Sequence, residues 1–399
     1  MNKILQGNHQ MERKAIILFS LFFLTACTSF PYTGAVPATP TTPEAESEGI
    51  EITTTPESEA LVIEEDDTPK TLRIWLPPQF DPDTETEASA LLKARLEEFQ
   101  KRRPDLILEI RIKAIEGEAS LLNALIATHQ AAPSAMPDLV ALSRPDLESA
   151  VNEGILHPLD GLTMLLDDPD WFPYARPLSH IQNSTYGLPF AANLLGLRYL
   201  PSEEYPFFSI ENMQEQEAQI LLPEDVAQLS FCLYDEAELE EESLTNLLSF
   251  YQSDIFSQVA QEKTFEIHWS KDFLDETPAD AILSPIPNMD NESCSLASAW
   301  LWTLAGSDPD RQPAAVELAE FLSQSDFLAE WTTETGYLAP RPTALTDIAF
   351  QELSLVAEPI PSNERVEALA EIFNAATISV LTDQVDPRAA AQEILENLQ

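Results

Sequence analysis

Tyr186-Gly187-Leu188-Pro189-Phe190-Ala191-Ala192-Asn193-Leu194-Leu195-Gly196-Leu197-Arg198-Tyr199-Leu200 is the stretch on which the fold turns. After its Gly and Pro it is almost wholly apolar, with Asn193 at its centre. It is shorter than the roughly 20 residues a bilayer-spanning helix needs, and no helix-capping signal precedes it, so it reads as a buried extended segment. A buried segment in mid-chain has to run between packed bodies. The residues before and after it are therefore read as two halves of a cleft.

Working towards the N-terminus, Leu72–Leu76 reads as a strand closed by Pro77 and Pro78. Glu87–Arg103 puts Leu92, Leu96 and Phe99 on one helical face, and Pro104 stops it. Leu106–Lys113 alternates as a half-buried strand, Ser120–Ala131 returns to helical spacing, and Pro137–Leu142 gives a short buried strand ending at Ser143 and Arg144. Pro145 opens a helix that Gly154 closes. This alternation indicates an α/β sheet with helices on both faces. Ligands of such sheets gather at the carboxyl ends of strands, here the loops at Leu76–Asp81 and Ser143–Arg144.

Towards the C-terminus the pattern weakens. Glu203–Glu224 is acidic and poorly periodic, Gln228–Tyr234 reads as a strand, Ser243–Val259 as an amphipathic helix, and Thr264–Trp269 as a strand. Ser295–Leu304 makes a second apolar passage with Trp300 and Trp302 on one strand face. Helices then run from Asp310, broken at Gly336–Pro340 and again at Pro361–Asn363.

The acid excess, 68 Asp and Glu against 21 Lys and Arg for a net charge of -47, excludes nucleic acid and an anionic membrane surface as partners. Hydrophobic residues at 44% suffice for real cores. Three cysteines are too few for a disulfide framework or a cysteine metal site. Cys232 and Cys294 read equally as an extracellular disulfide or as two buried thiols. With 10 glycines and no phosphate-cradling loop, no Gly-x-Ser-x-Gly elbow and no His-Glu-x-x-His helix, the sequence predicts neither an enzyme nor a cofactor or metal.

Arg13 and Lys14 precede an apolar run from Ala15 to Leu24, then Leu24-Thr25-Ala26-Cys27. Charge, a short apolar core and small residues are the parts of an export signal. The segment resembles bacterial lipoprotein signal peptides, in which cleavage before the Cys and acylation of its thiol and amine follow. The resemblance implies a signal over residues 1–26, a lipid on Cys27 and attachment to the cell membrane facing the extracytoplasmic side. Residues 27–69, rich in Thr, Pro and Glu, are too poor in apolar groups to offset ordering and are expected to be a disordered tether.

Four further segments resemble the maltose-binding-protein-like solute-binding proteins of ABC importers. They are Pro137–Asp160 with its Gly154-Ile155-Leu156-His157-Pro158-Leu159-Asp160 turn; Tyr186–Pro189 with Leu197–Tyr199; Ala314–Pro342 ending Gly336-Tyr337-Leu338-Ala339-Pro340-Arg341-Pro342; and Ala368–Leu398. The resemblance implies a two-lobed periplasmic-binding-protein-like fold with a hinge and an interlobe cleft. It places lobe 1 at 70–189, a reduced lobe 2 at 190–294, and a second crossover with C-terminal helices at 295–399 returning to lobe 1. It implies a monomer that captures a solute, usually a sugar or oligosaccharide, and delivers it to ABC permease subunits; the alternative is a surface lipoprotein of this fold that senses or binds a partner without transport. Leu200 stands where the family usually has Asn.

A sugar site needs flat apolar faces and fixed polar groups. The residues expected to supply them are Phe80, Ser143, Arg144, Asn193, Trp300, Trp302, Tyr337 and Arg341. Trp75 and Phe373 fit the core better, and a buried Asn193 must find partners either in backbone or in a ligand.

Overall fold

The computed structural model describes residues 69–199, 209–215, 217–234, 239–260, 264–276, 281–288, 292–306 and 308–397. The signal segment, Cys27, the stretch expected to be a tether up to residue 68, and Leu200 lie outside the described residues.

The opening stretch forms one long strand. Three parallel strands, β1 (Lys70–Leu76), β2 (Leu106–Ile112) and β3 (Leu139–Ser143), make one end of a sheet, and β4 (Gly187–Tyr199) runs through its middle. At the other end β5 (Gln219–Leu221), β6 (Phe256–Ser257) and β7 (Thr264–Trp269) are again parallel. A second long strand, β8 (Ser293–Leu304), joins the two. The order is β2-β1-β3-β8-β4-β7-β5-β6, with β8 antiparallel to both β3 and β4. Parallel strands need crossover helices, so each end is an α/β layer of its own, and the antiparallel pair β4 and β8 is the bridge.

The first three helices start where the sequence offers caps. The Thr86 and Ser120 hydroxyls accept from Ser89 N–H and Asn123 N–H at the starts of α1 (Glu87–Arg102) and α2 (Leu121–Ala131). Ser143 does the same for Asp146 at the start of α3 (Arg144–Asn152), where proline fills the first turn. In the second half come α4 (Ala227–Leu233) and α5 (Glu241–Tyr251), which pack on the second core, and α6 (Ser270–Glu276), whose Phe273 packs on the first. α7 (Gln312–Leu322) and α8 (Ser325–Thr335) follow β8, and α9 (Asn363–Leu381) and α10 (Pro387–Asn397) close the described chain. The expected strand at Gln228–Tyr234 is instead α4: a seven-residue apolar run carries no period that separates the two, and only packing decides.

Two hydrophobic cores follow from this layout, and the lobe boundaries are read from them. On β4 the first core ends at Leu194 and the second begins at Leu195; on β8 the change falls between Leu296 and Ala297. A third passage occurs at β9 (Ala357–Pro359), parallel to the start of β8, after which Ile360 packs on both cores. The expected return of residues 295–399 to the first lobe is corrected here. α7 and α8 pack on the first core, but Leu369, Phe373, Val380, Ala391 and Ile394 of α9 and α10 belong to the second. These two helices add their apolar faces to the second core. Phe273 and Leu283, inside the span assigned to lobe 2, pack on the first core.

Gly196 marks a close approach in the bridge. A Cβ there would lie 2.8 Å from Leu283 Cγ and 2.9 Å from the Ser284 carbonyl oxygen, so no side chain fits. Cys232 at the end of α4 and Cys294 at the start of β8 are joined in a disulfide, which decides between the two readings of these cysteines.

Candidate functional site

Where the two cores meet, a cavity of about 540 Å³ opens. Its floor is the strand bridge, with Asn193 and Ser298 directly opposite each other in register. The start of α3 supplies Pro145, Asp146 and Ser149, and the third passage and α9 supply Ile360, Asn363, Val366 and Glu367. The second lobe adds Asp225, Gln228 and Phe231 around α4, and Trp269 at the carboxyl end of β7. The volume suits a small solute or a short oligomer.

Local structure explains each placement. Trp269 ends a strand just before α6, and its Nε1 donates to Gln228 Oε1 at 2.8 Å, which holds the indole against the second-lobe wall. Asn193 Oδ1 accepts from Lys271 N–H at 2.9 Å and from Ser270 Oγ at 3.1 Å, capping α6 from another element. Asp225 accepts from Ala227 N–H at 2.9 Å and from Asn374 Nδ2 at 2.9 Å, while Asn374 Oδ1 takes Val226 N–H at 2.8 Å. Asn363 Nδ2 donates to Pro145 O at 2.9 Å and Ser149 Oγ at 3.1 Å, tying α9 to α3. Burial pushes the Asp146 carboxyl above its ordinary range, against the opposing bond with the Ser143 hydroxyl. None of the lining side chains is Lys or Arg.

Of the expected site residues, the structure brings Asn193 into the cavity lining and leaves the others out of it. Ser143 is spatially close but its hydroxyl caps α3. Arg144 is buried and paired with Glu148 at 2.8 Å, and Glu148 in turn accepts from Asn363 N–H, so the pair braces α3 against the third passage. Phe80, 2% exposed, is packed between Phe190, Trp300, Trp331 and Tyr337 at centroid distances of 5.2 to 5.8 Å. Trp300 is half-buried and its Nε1 donates to the Tyr337 hydroxyl at 3.2 Å. Burial, the Asp275 carboxylate and the Asp272 carboxylate push the Tyr337 hydroxyl up, with the Trp300 bond opposing them. Trp302 is a correction: it shares the Trp300 face but is 2% exposed and stacks on Phe190 at 4.2 Å, inside the first core. Arg341 is a second correction, buried in a pair with Asp168 at 2.8 Å and Asp170 at 3.2 Å, away from the cavity. Trp75 and Phe373 are core, at 2% and 1% exposed.

The second-lobe wall, Gln228, Phe231 and Trp269, was missed. Trp269 carried a signal: it is an aromatic residue at the end of an alternating strand, the criterion already applied to the first lobe. Gln228 and Phe231 were hidden by the strand reading of α4.

Two parallel-sheet lobes bridged by long crossover strands, with a cavity between them, define the class: this is the two-lobed fold of the maltodextrin-binding extracellular solute-binding proteins. The sugar-binding protein MalE from Xanthomonas citri is similar at 17% identity, TM-score 0.66, over 82% of this chain and 96% of that one. A cyclo/maltodextrin-binding protein complexed with maltotetraose is similar at 18% identity, TM-score 0.64, over 82% and 96%. An extracellular solute-binding protein from Staphylococcus aureus in complex with maltose is similar at 14% identity, TM-score 0.65, over 83% and 97%. No protein-family model matches the chain, and no curated protein matches it by sequence.

Proposed function

We propose that this chain is a lipid-anchored, extracytoplasmic solute-binding protein that closes its two lobes on a sugar or short oligosaccharide and delivers it to an ABC permease. The observation that carries the reading is the cavity itself: it lies between the two cores and combines an indole face at Trp269 with carboxylates and side-chain amides drawn from both lobes and the bridge. Sugars need an apolar face for their C–H side and hydrogen-bonding groups for their hydroxyls, and a solute held by both lobes favours the closed state. Structures of similar fold hold maltose, maltotetraose, maltotriose and mannotriose, which supports a carbohydrate here. The Leu24-Thr25-Ala26-Cys27 pattern supports the anchor and, with it, a place outside the cytoplasmic membrane. Asn193 is the expected residue that contacts the solute; Phe80, Trp300 and Tyr337 support the bridge from the first lobe.

The test is a thermal-shift and calorimetric screen of these and other neutral oligosaccharides. A bound sugar at 100 times its Kd raises stability by about 2.7 kcal/mol. Trp269→Ala weakens that binding by roughly tenfold or more, since stacking contributes on the order of 1 kcal/mol beyond burial. A wide sugar panel giving no shift overturns the reading. The anchor is tested separately, by incorporation of a labelled fatty acid that Cys27→Ser abolishes.

A further inference from the structure

The hydrogen bonds around Trp269 determine what the cavity presents to a solute there, and the inference that follows rests on reading this cavity as the solute site. Asn193 Oδ1 accepts from Lys271 N–H, and Gln228 Oε1 accepts from Trp269 Nε1–H. A peptide N–H and an indole N–H can only donate, so neither amide can turn over without losing its bond. Each oxygen is held by the protein. Among the described residues, neither Asn193 Nδ2 nor Gln228 Nε2 has a hydrogen-bond partner, and both residues line the cavity. Asn193 and Gln228, which line the cavity with the Trp269 indole, therefore each keep only N–H groups to offer a solute.

Other lining groups have the opposite polarity. The Asp146, Asp225 and Glu367 carboxylates only accept when ionised, Asp225 already taking bonds from Ala227 N–H and Asn374 Nδ2, and Asn363, whose Nδ2 already donates to Pro145 O and Ser149 Oγ, has its Oδ1 left as an acceptor. Ala227, Phe231, Leu296 and Val366 add apolar surface.

A matching solute carries a C–H face for the indole, an oxygen that can only accept, an N–H or O–H donor for the acids, and a small apolar group. An acetamido group on a sugar ring supplies the last three together: carbonyl oxygen, amide N–H and methyl. A plain hydroxyl supplies neither the fixed acceptor nor the methyl. We propose that the cavity selects N-acetylated amino sugars, with Asn193 and Gln228 as the specificity-determining donors.

The test compares N,N′-diacetylchitobiose with cellobiose by calorimetry on the mature chain; the two share rings and linkage and differ at the acetamido position. The acetylated sugar is expected to bind at least about tenfold tighter, because a hydrogen-bonding site left without its partner discriminates strongly. Asn193→Asp and Gln228→Glu keep the oxygen that Lys271 N–H and Trp269 Nε1–H require but replace the NH2 with a second acceptor. Each is expected to lose roughly tenfold or more in affinity with the melting temperature unchanged. Equal binding of cellobiose or a maltodextrin, or variants that bind diacetylchitobiose like the wild type, overturns this proposal and leaves sugar binding standing. Binding of no sugar at all overturns both. The comparison of the two disaccharides needs only the wild-type chain, so it stands even where a variant misfolds.

Discussion

Breaking the Cys232–Cys294 disulfide perturbs the wall of the cavity and the stability of one lobe at once. The bond closes a segment with a sequence separation of 62 residues, from the end of α4 to the start of β8. Chain-entropy reasoning assigns a loop of that size about 4 kcal/mol at 25 °C. Melting as one body of some 330 residues, the protein would drop by about 6 °C on reduction; a second lobe of some 140 residues melting alone would drop by about 14 °C. The size of the shift therefore reports whether the two cores unfold together. Calorimetry of the Cys232→Ser/Cys294→Ser chain, and of reduced wild type with free thiols confirmed by labelling, measures it. Solute affinity should change far less than stability, because Asn374 still holds the other end of α4 through Val226 N–H and Asp225. A shift below about 1 °C with both thiols shown to be free would refute the loop-closure reasoning.

Arg341→Ala should destabilise by roughly 1 to 2 kcal/mol in urea unfolding, because it removes a buried guanidinium bonded to Asp168, Asp170 and Ser323 O but leaves carboxylates that water reaches, and it should leave sugar affinity intact. Burial alone would raise the Asp170 carboxyl, but bonds from Thr343, Ser325 and Arg341 overcome it and hold it below its ordinary 3.8. Its contribution is accordingly present above that value and lost as pH falls through the folded pKa; the variant keeps the Thr343 and Ser325 bonds, so the acid limb of stability against pH should flatten only slightly in it. Asp146 has the opposite sign: burial raises it above 3.8, so the native state binds the proton more tightly than the unfolded chain. Stability attributable to Asp146 is full below 3.8 and declines as pH rises through the folded value; subtracting Asp146→Asn from wild type over that range should isolate this decline, and a difference flat in pH would refute it.

The bridge was legible because both crossover strands are long, mostly apolar runs whose few polar residues are Asn193 and Arg198 on β4 and serines and one threonine on β8, too short for a membrane and too uncapped for helices. The first lobe was legible for a similar reason: its strands alternate and its helices carry caps at Thr86, Ser120 and Ser143. The second lobe was harder. α4 is a helix because Leu229, Phe231, Cys232 and Leu233 are buried against β8, α9 and Tyr251, all distant in sequence, and nothing local in Ala227–Leu233 favours a period of 3.6 over 2. Site residues fared as local reasoning allows. Asn193 stood out because a polar group in a buried strand must be satisfied; Arg144 pairs with Glu148 one helical turn on, a spacing the sequence shows, whereas Arg341 is held by Asp168 and Asp170, distant acids that a single sequence cannot pair with it.

Asn193 also shows why the site and the hinge occupy one place. It stands directly opposite Ser298 in register, and one residue lies between each of them and the boundary of the cores, Leu194 on β4 and Ala297 on β8. A rotation of one lobe against the other about this bridge moves atoms near Asn193 least and moves those on α3, α4 and α9 most. A bond to Asn193 alone therefore discriminates weakly between open and closed states, however strong it is, since only contacts that differ between states shift the population. On the function proposed above, the discriminating contacts would be those farther from the pivot, at Asp146 on the first lobe and at Gln228, Trp269 and Glu367, which line the cavity with it. Asn193 reaches them indirectly: by capping α6 it holds the turn that follows Trp269, and α6 itself packs Phe273 into the first core. Loss of the cap should then loosen Trp269 as well as the amide contact, which makes Asn193→Ala costlier to solute binding than Asn193→Asp, where the capping oxygen survives.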